Sequence, residues 1–332
     1  MVMIQNNFFA ALKIATIFFI TSMTSAYADC QLPLKSKPQQ KAIHFFGEAL
    51  YWHTSETVDW AFTLSLDQSS LRSSYKTFAF EWDPGFRVGI GYTMDHDNWD
   101  TQVSYSYFYS KAQDQASGSV TSSFLPARLS LTEPFSQGGA SLSVHYNMFD
   151  WDLGRSFLAS NYLTLRPSIG LRGGWINQAI RSNWINPHFL GLIYISASEN
   201  LKQHFLGVGP KGGVTGKWQF GNIKNHSFSF LGKFEAGYLW GHWSIRDQFI
   251  DNLSTVIDLK TLDRNFGAFM LHSFIGLGWD FSFNQDRSHF ALTLGYEIED
   301  WLNQFQIFSD TSGSQSNDLI LEGINLGLHF SF

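Results

Sequence analysis

Charged side chains in this chain recur at alternate positions within stretches of apolar and small residues, a spacing that gathers them on one side of an extended backbone. Arg87 lies in FRVGIGY, Asp100 in WDTQVSYSYFY, and Arg166 and Arg172 in LTLRPSIGLRGGW; Glu48, Lys233, Glu235, Asp280 and Glu297 sit in stretches of the same kind. Successive side chains of a strand point to opposite faces. Arg87 therefore opposes Phe86 and Val88, and Arg166 and Arg172 oppose Leu165, Ile169 and Leu171. Opposed arginines and carboxylates on an inner wall set a transverse field and a weak ion preference, as rings of charge do in channels. The alternative is that the same groups pair off and plug a narrow lumen.

Catalytic constellations are weak by comparison. LHS at Leu271–Ser273 places His and Ser next to each other but on opposite faces of a strand, where they cannot form the pair that nucleophilic catalysis requires. His242 with Asp247, or His53 with Glu56 and Asp59, are rim pairings that arise by chance among 11 His and 28 acidic residues. No metal-ligand spacing stands out. GVGPKGGVTG has no helix pattern after it and its lysine is misplaced for a phosphate-cradling loop. The expectation is therefore no enzyme, no catalytic residue, no metal and no cofactor.

The elements that must position the charges are strands. ASLSVHYNM, HFALTLGYEI and the final INLGLHFSF repeat the period of two. Ten segments follow, at about 44–52, 79–93, 99–109, 138–149, 162–177, 205–220, 226–243, 265–283, 288–302 and 318–332. Most reach the ~9–11 residues of a tilted membrane strand. Connections alternate between long polar stretches (53–78, 110–137, 178–204, 244–264, 303–317) and tight turns such as MDHDN and NQDR, with 150–161 the longer exception. Trp52, Trp82, Trp99, Trp175, Trp218, Trp240, Trp243, Trp279 and Trp301 fall near segment ends, where interfacial girdles lie. Taking apolar positions as facing lipid puts Gln102, His145 and His329 with the nine charges on the inner wall. A charge on the lipid face at mid-membrane costs roughly 2–4 kcal/mol.

Composition agrees. Only 15% of residues are charged and 17% are aromatic, and a net charge of −6 without a basic block argues against nucleic acid. Residues 1–28 read as a signal peptide, with a single early charge at Lys13, an apolar stretch from Ile14 to Met23 and AYA at Ala26–Ala28. Residues 29–43 read as a periplasmic segment and 44–332 as the barrel. The one cysteine, Cys30, excludes a disulfide framework. The expected fold is all-β: a closed antiparallel transmembrane β-barrel of ten strands, or twelve, with long extracellular loops and short periplasmic turns.

Several stretches, GEALYW, FEWDPGFRVGIGY, NYLTLRPSIGLRGGWINQ, EDWLNQFQ and LEGINLGLHFSF, resemble the Legionella-type major outer membrane protein family, a pore-forming group often placed with chlamydial porin-like proteins. That resemblance implies an outer-membrane porin without catalytic residues. The apolar ending through Leu328, Phe330 and Phe332 also resembles the signal that outer-membrane proteins present to their insertion machinery. The expected function is passive diffusion of ions and small hydrophilic solutes; the alternative is a plugged surface barrel acting through its extracellular loops. Expected partners are outer-membrane lipid and lipopolysaccharide, the barrel-insertion machinery and small solutes, with homo-oligomerisation left open.

Overall fold

The computed structural model describes residues 41–67, 70–95, 97–123, 135–186, 195–223, 225–251, 256–260, 264–283, 288–309 and 313–332. The expected signal peptide, Cys30 and nearly all of the expected periplasmic segment lie outside them. The strands are β1 (Ala42–Ser55), β2 (Asp59–Asp67), β3 (Ser70–Thr77), β4 (Trp82–Thr93), β5 (Trp99–Ser122), β6 (Phe135–Arg155), β7 (Phe157–Leu158), β8 (Leu163–Asn186), β9 (Ile195–Ile223), β10 (His226–Asp251), β11 (Val256–Lys260), β12 (Arg264–Phe283), β13 (Ser288–Ser309) and β14 (Gly313–Ser331).

Hydrogen bonding runs β1-β4-β5-β6-β8-β9-β10-β12-β13-β14, every pair antiparallel, and β14 returns to β1. Ten strands thus close the sheet and leave no edge. The other four are accessories: the β2–β3 hairpin pairs with β5, β11 with β10, and the two-residue β7 with β8. Closure is completed where Ile43 and Phe332 exchange backbone hydrogen bonds of 2.9 and 3.1 Å. Ten strands ~4.8 Å apart and tilted ~40° have a backbone diameter of about 20 Å, which inward side chains are long enough to fill.

All ten barrel strands coincide with predicted segments. The connections require correction. Much of what reads as long loops is strand: β5 continues to Ser122, β8 to Asn186, β10 to Asp251, and β9 begins at Ile195. On the turn side, β6 runs on to Arg155 through what reads as a connection.

One physical change along each strand explains both results. In the turn-side part the outer face is apolar: on β10, Phe228, Phe230, Phe234, Tyr238 and Trp240 all point outward and are exposed. From Phe228 to Trp240, at ~2.5 Å of axial rise per residue for a strand tilted ~40°, the belt is about 30 Å tall, the thickness of a bilayer's hydrocarbon. Beyond Trp240 the phase inverts. Trp243, Ile245 and Phe249 are buried inside, while His242 and Arg246 are exposed. Strand β8 does the same: Ile169 and Leu171 face out below, and Ile176, Ile180 and Trp184 face in above. The barrel wall therefore leaves the membrane and continues into water, where an ordinary apolar interior becomes the favourable arrangement. On β10 the projection is roughly 28 Å, from Trp240 to Asp251 at the same rise per residue.

The inversion also corrects the parity assigned to β6. Leu142, Val144, Tyr146 and Met148 face inward and His145 faces outward, its ring 4.3 Å from that of Tyr109. Lower on the same strand Phe149 and Trp151 face lipid. Three of the presumed girdle residues, Trp52, Trp243 and Trp301, are interior, whereas Trp82, Trp218 and Trp240 are exposed on the belt.

Glycine makes room for bulk inside. A Cβ at Gly276 or Gly295 would run into the inward ring of Phe274, and one at Gly207 or Gly241 into that of Phe205. The glycine-rich GVGPKGGVTG is the middle of β9.

Candidate functional site

The lumen is stacked in layers. Nearest the turns lies a vestibule. There Arg166 of β8 reaches past β6 at Gly154, where a Cβ would strike its guanidinium, and donates from Nε to both carboxylate oxygens of Asp100 on β5 at 2.9 and 2.8 Å. Lys217 Nζ donates to Asp280 at 2.7 and 2.8 Å. These four side chains are partly exposed, between 17% and 32%, so water enters here.

Above the vestibule lies a disc of charge, buried except for Glu48 and Lys233, whose side chains are 14% and 27% exposed. Arg87 Nη1 is 2.5 Å from Glu48 Oε2 and 3.3 Å from Glu297 Oε2, and its Nε donates to Ser106 Oγ at 2.9 Å. Arg172 clamps Asp150 with Nε and Nη2 at 2.7 and 3.0 Å; its Nη1 lies 3.1 Å from Glu299 Oε2, an ion pair without hydrogen-bond alignment. Lys211 Nζ joins Asp150 and Asp152 at 2.9 and 3.0 Å, and Lys233 joins Glu235 at 2.9 Å. His272 bridges the halves, with Nε2 3.0 Å from Glu297 and Nδ1 3.2 Å from Glu235. An ionised carboxylate only accepts, so the ring satisfies both neighbours only as the imidazolium. Asn325 Nδ2 donates to Glu48 and Glu297 at 2.7 and 3.0 Å. A buried charge is tolerable when its partners and hydrogen bonds are complete. Here they nearly are.

A plug of aromatic rings covers the disc. Its rings run from wall to wall in the order Phe108, Trp52, Tyr146, Trp301, Phe205, Trp243, Phe266, with successive centroids 4.5–6.4 Å apart. Polar edges point down into the disc: Tyr146 Oη donates to Glu299 at 2.5 Å, Trp301 Nε1 to Glu299 at 2.7 Å and Trp52 Nε1 to Glu297 at 3.1 Å. Leu142, Met148, Ile176, Leu239, Met270, Leu319 and Leu321 belong to the same buried cluster as the rings.

Above the membrane belt polar groups return. Gln178 Nε2 donates to both oxygens of Glu56 at 2.9 Å, and Gln203 Nε2 donates to Gln178 Oε1 at 2.9 Å and to the Gln304 carbonyl at 2.6 Å. Burial pushes the Glu56 carboxyl up to about 8, with Gln178 pulling the other way. Burial, and then the neighbouring Asp247, hold Glu199 well above the usual carboxylate range.

The nine predicted pore-lining residues all face the lumen, and each is engaged in an ion pair there. Asp100, Arg166 and Asp280 belong to the vestibule. Glu48, Arg87, Arg172, Lys233, Glu235 and Glu297 belong to the disc, where Arg172 is 2% exposed and Glu297 1%. The rim pairings do not form: His53 and His242 lie on the outer face while Glu56 and Asp247 are inside, and His242 Nδ1 faces Asn265 at 2.9 Å. Residues missed by sequence reasoning are Asp150, Asp152, Lys211, Lys217, His272, Glu299 and Asn325. A signal for the first two was present, since they continue the parity of Tyr146 and Met148 on β6. Leu328, Phe330 and Phe332 lie exposed on the outer face, with Phe332 stacked near Phe45 at 6.0 Å.

Among the described residues no three His, Cys, Asp or Glu side chains are placed to hold a metal ion, and no helix is long and apolar enough to cross a membrane. The crossing is by strands.

No curated protein matches the chain. Solved structures similar to it include the outer membrane protease OmpT from Escherichia coli, 11% identical with a TM-score of 0.39, covering 90% of this chain and 98% of that one. The toluene transporter TodX of P. putida is 12% identical with a TM-score of 0.32, covering 89% and 90%. A major outer membrane protein from Thermus thermophilus is 10% identical with a TM-score of 0.30, covering 89% and 100%. The family model for the Legionella pneumophila major outer membrane protein precursor matches residues 37–332. The chain therefore belongs to that family and is an outer-membrane β-barrel.

Proposed function

We propose that this protein is a surface barrel of the outer membrane, closed along its axis in the conformation described, that acts through the wall standing above the membrane rather than as a permanently open diffusion pore. The supporting observation is the aromatic plug, whose rings chain from Phe108 on β5 to Phe266 on β12 across the lumen above the charge disc. The Trp52, Phe108, Tyr146, Phe205 and Trp301 side chains are fully buried. A hydrated ion crossing the plug would shed its water against rings that offer it no ligand, which is why hydrophobic constrictions close channels.

A second reading, a gated passage for small hydrophilic solutes, draws support from the vestibule, whose partly exposed pairs admit water to one side of the disc. It requires the plug to move.

We also take the protein to be a non-enzyme. His272 is enclosed by Glu235 and Glu297, with Ser273 on the opposite face, so that histidine has neither access to substrate nor a nucleophile.

Liposome swelling tests the reading. Proteoliposomes of the refolded chain in arabinose or a small amino acid are expected to swell no faster than empty ones, and those with Trp52→Ala/Trp301→Ala to swell measurably. Fast swelling of the wild type would remove the closed-barrel reading and leave the porin.

A further inference from the structure

The outer surface just above the aromatic belt is electrically one-sided. On β5 the last belt residue is Tyr109 and the next outward residue is Lys111; on β9 Lys202 follows Leu206 and His204; on β8 Arg181 lies beyond Trp175; on β10 Arg246 lies beyond Trp240. At ~2.5 Å of axial rise per residue these four cationic groups stand about 5, 10, 15 and 15 Å above the end of the belt on their own strands. All four are exposed.

Register brings them together. Lys111 is opposite Ser143, Ser143 opposite Ala179, Ala179 opposite Lys202, and Lys202 opposite Arg246, with Arg181 the next outward position on β8 after Ala179. The residues between are small, so the long cationic side chains overhang a shallow strip of wall. Arg246 is held by Asp258 of β11 at 2.6 Å. Lys111, Arg181 and Lys202 have no ion-pair partner among the described residues.

The opposite side of the barrel carries the reverse sign at the same level. Beyond Tyr296 and Ile324, the outward charged groups of β13 and β14 are Asp300, Glu322 and Asp318, interspersed with Ile298, Leu302 and Ile320. In a chain of net charge −6 such a segregated basic strip is not a reflection of composition.

We propose that the strip formed by Lys111, Arg181 and Lys202, with Arg246 at its margin, binds the phosphate groups of the outer-leaflet glycolipid of the outer membrane, lipid A and its first sugars. Height and sign both fit. Acyl chains of a lipid seated against this side meet Tyr109, Trp175, Leu206 and Trp240, and its phosphates come level with ammonium and guanidinium groups that water alone would otherwise solvate. The attachment points differ in height by about 10 Å, a range that long Lys and Arg side chains narrow by reaching along the wall toward the phosphates. The Asp300 side lacks that complement and would meet the same lipid only through a bridging divalent cation. The assignment holds whether or not the axis conducts.

The test uses the full mature chain in detergent micelles, with bisphosphorylated lipid A as ligand and its dephosphorylated form as control, read by native mass spectrometry after checking each variant for heat-modifiable migration. The wild type is expected to retain bisphosphorylated lipid A in preference to the control. Lys111→Glu/Arg181→Glu/Lys202→Glu is expected to lower that retention on the order of a hundredfold, from the usual contribution of each basic residue at an anionic membrane surface. Asp300→Lys/Glu322→Lys should not lower it. If the reversed variant fails to fold, the neutral Lys111→Gln/Arg181→Gln/Lys202→Gln serves, with a smaller loss expected. Equal retention by wild type and variant, equal retention of the two lipids, or full displacement of lipid A by millimolar inorganic phosphate would each overturn the assignment.

Discussion

Replacing Arg172 with methionine removes one charge from the disc while nearly preserving the volume of the side chain. Arg172 is 2% exposed and makes two aligned hydrogen bonds to Asp150, at 2.7 and 3.0 Å, plus the 3.1 Å ion pair with Glu299. Hydrogen bonds to a charged group contribute about 1.5–3 kcal/mol each, so the gross loss is roughly 3–6 kcal/mol. Two features limit it. Asp150 keeps Lys211 at 2.9 Å, and Glu299 keeps the Tyr146 hydroxyl and the Trp301 N–H. Removing one partner of a buried pair typically costs about 3–5 kcal/mol, and that is the net expectation for Arg172→Met, a shift of about a hundred- to a few thousandfold in the folding equilibrium at about 1.4 kcal/mol per factor of ten. Urea-induced unfolding from lipid vesicles, followed by tryptophan fluorescence, measures it. Arg155→Met, whose partner Asp97 is 3.9 Å away and half exposed, should change stability by about 1 kcal/mol or less. A loss below about 1 kcal/mol for Arg172→Met would mean that water solvates the abandoned carboxylates, and the disc would then be a wet lining rather than a closed layer.

Other consequences are testable separately. Trp52→Ala/Trp301→Ala removes two rings from the plug; each such truncation costs about 3–5 kcal/mol, and the surviving folded protein should show channel conductance that the parent lacks. Glu56→Gln tests the polar group above the membrane. With its carboxyl raised to about 8 when folded, the folded state holds a proton that the unfolded chain releases above the ordinary glutamate range. Stability contributed by that proton is present at pH 4 and lost as pH climbs to 8, by at most about 4 kcal/mol between pH 5 and 8. The glutamine variant should lose this part of the slope in urea melts, and an unchanged slope would refute the assignment. Deleting Phe332 removes the residue that exchanges backbone hydrogen bonds with Ile43; slower insertion into vesicles containing the purified insertion machinery is expected, and an unchanged rate would remove the terminal-signal reading.

Strand positions were legible because period-two alternation survives wherever a wall separates two environments. Arg87, Asp100, Arg166, Arg172 and Glu297 were placed on the correct face for the same reason: lipid outside leaves charge no alternative. What escaped was the change of outer solvent along a single strand. On β6 the even positions from Ala140 to Met148 are apolar and the odd positions Phe149 and Trp151 take over below, a slip of phase that a single-solvent reading absorbs by assigning the upper run to lipid. Strand continuations such as those of β8 and β10 escaped likewise, since Asn183, Arg181, Gln248 and Ser244 on a water-facing wall look like loop chemistry. His272 escaped because its partners, Glu235 and Glu297, come from the two neighbouring strands, and sequence alone does not supply their register.

Current through single copies of the refolded protein in a planar bilayer, at low voltage and neutral pH, decides the closed axis most directly. A seal made by the aromatic plug predicts a bare-membrane baseline with the wild type and unitary steps only once Trp52 and Trp301 are cut back; a stable, ohmic conductance in every wild-type insertion would contradict it.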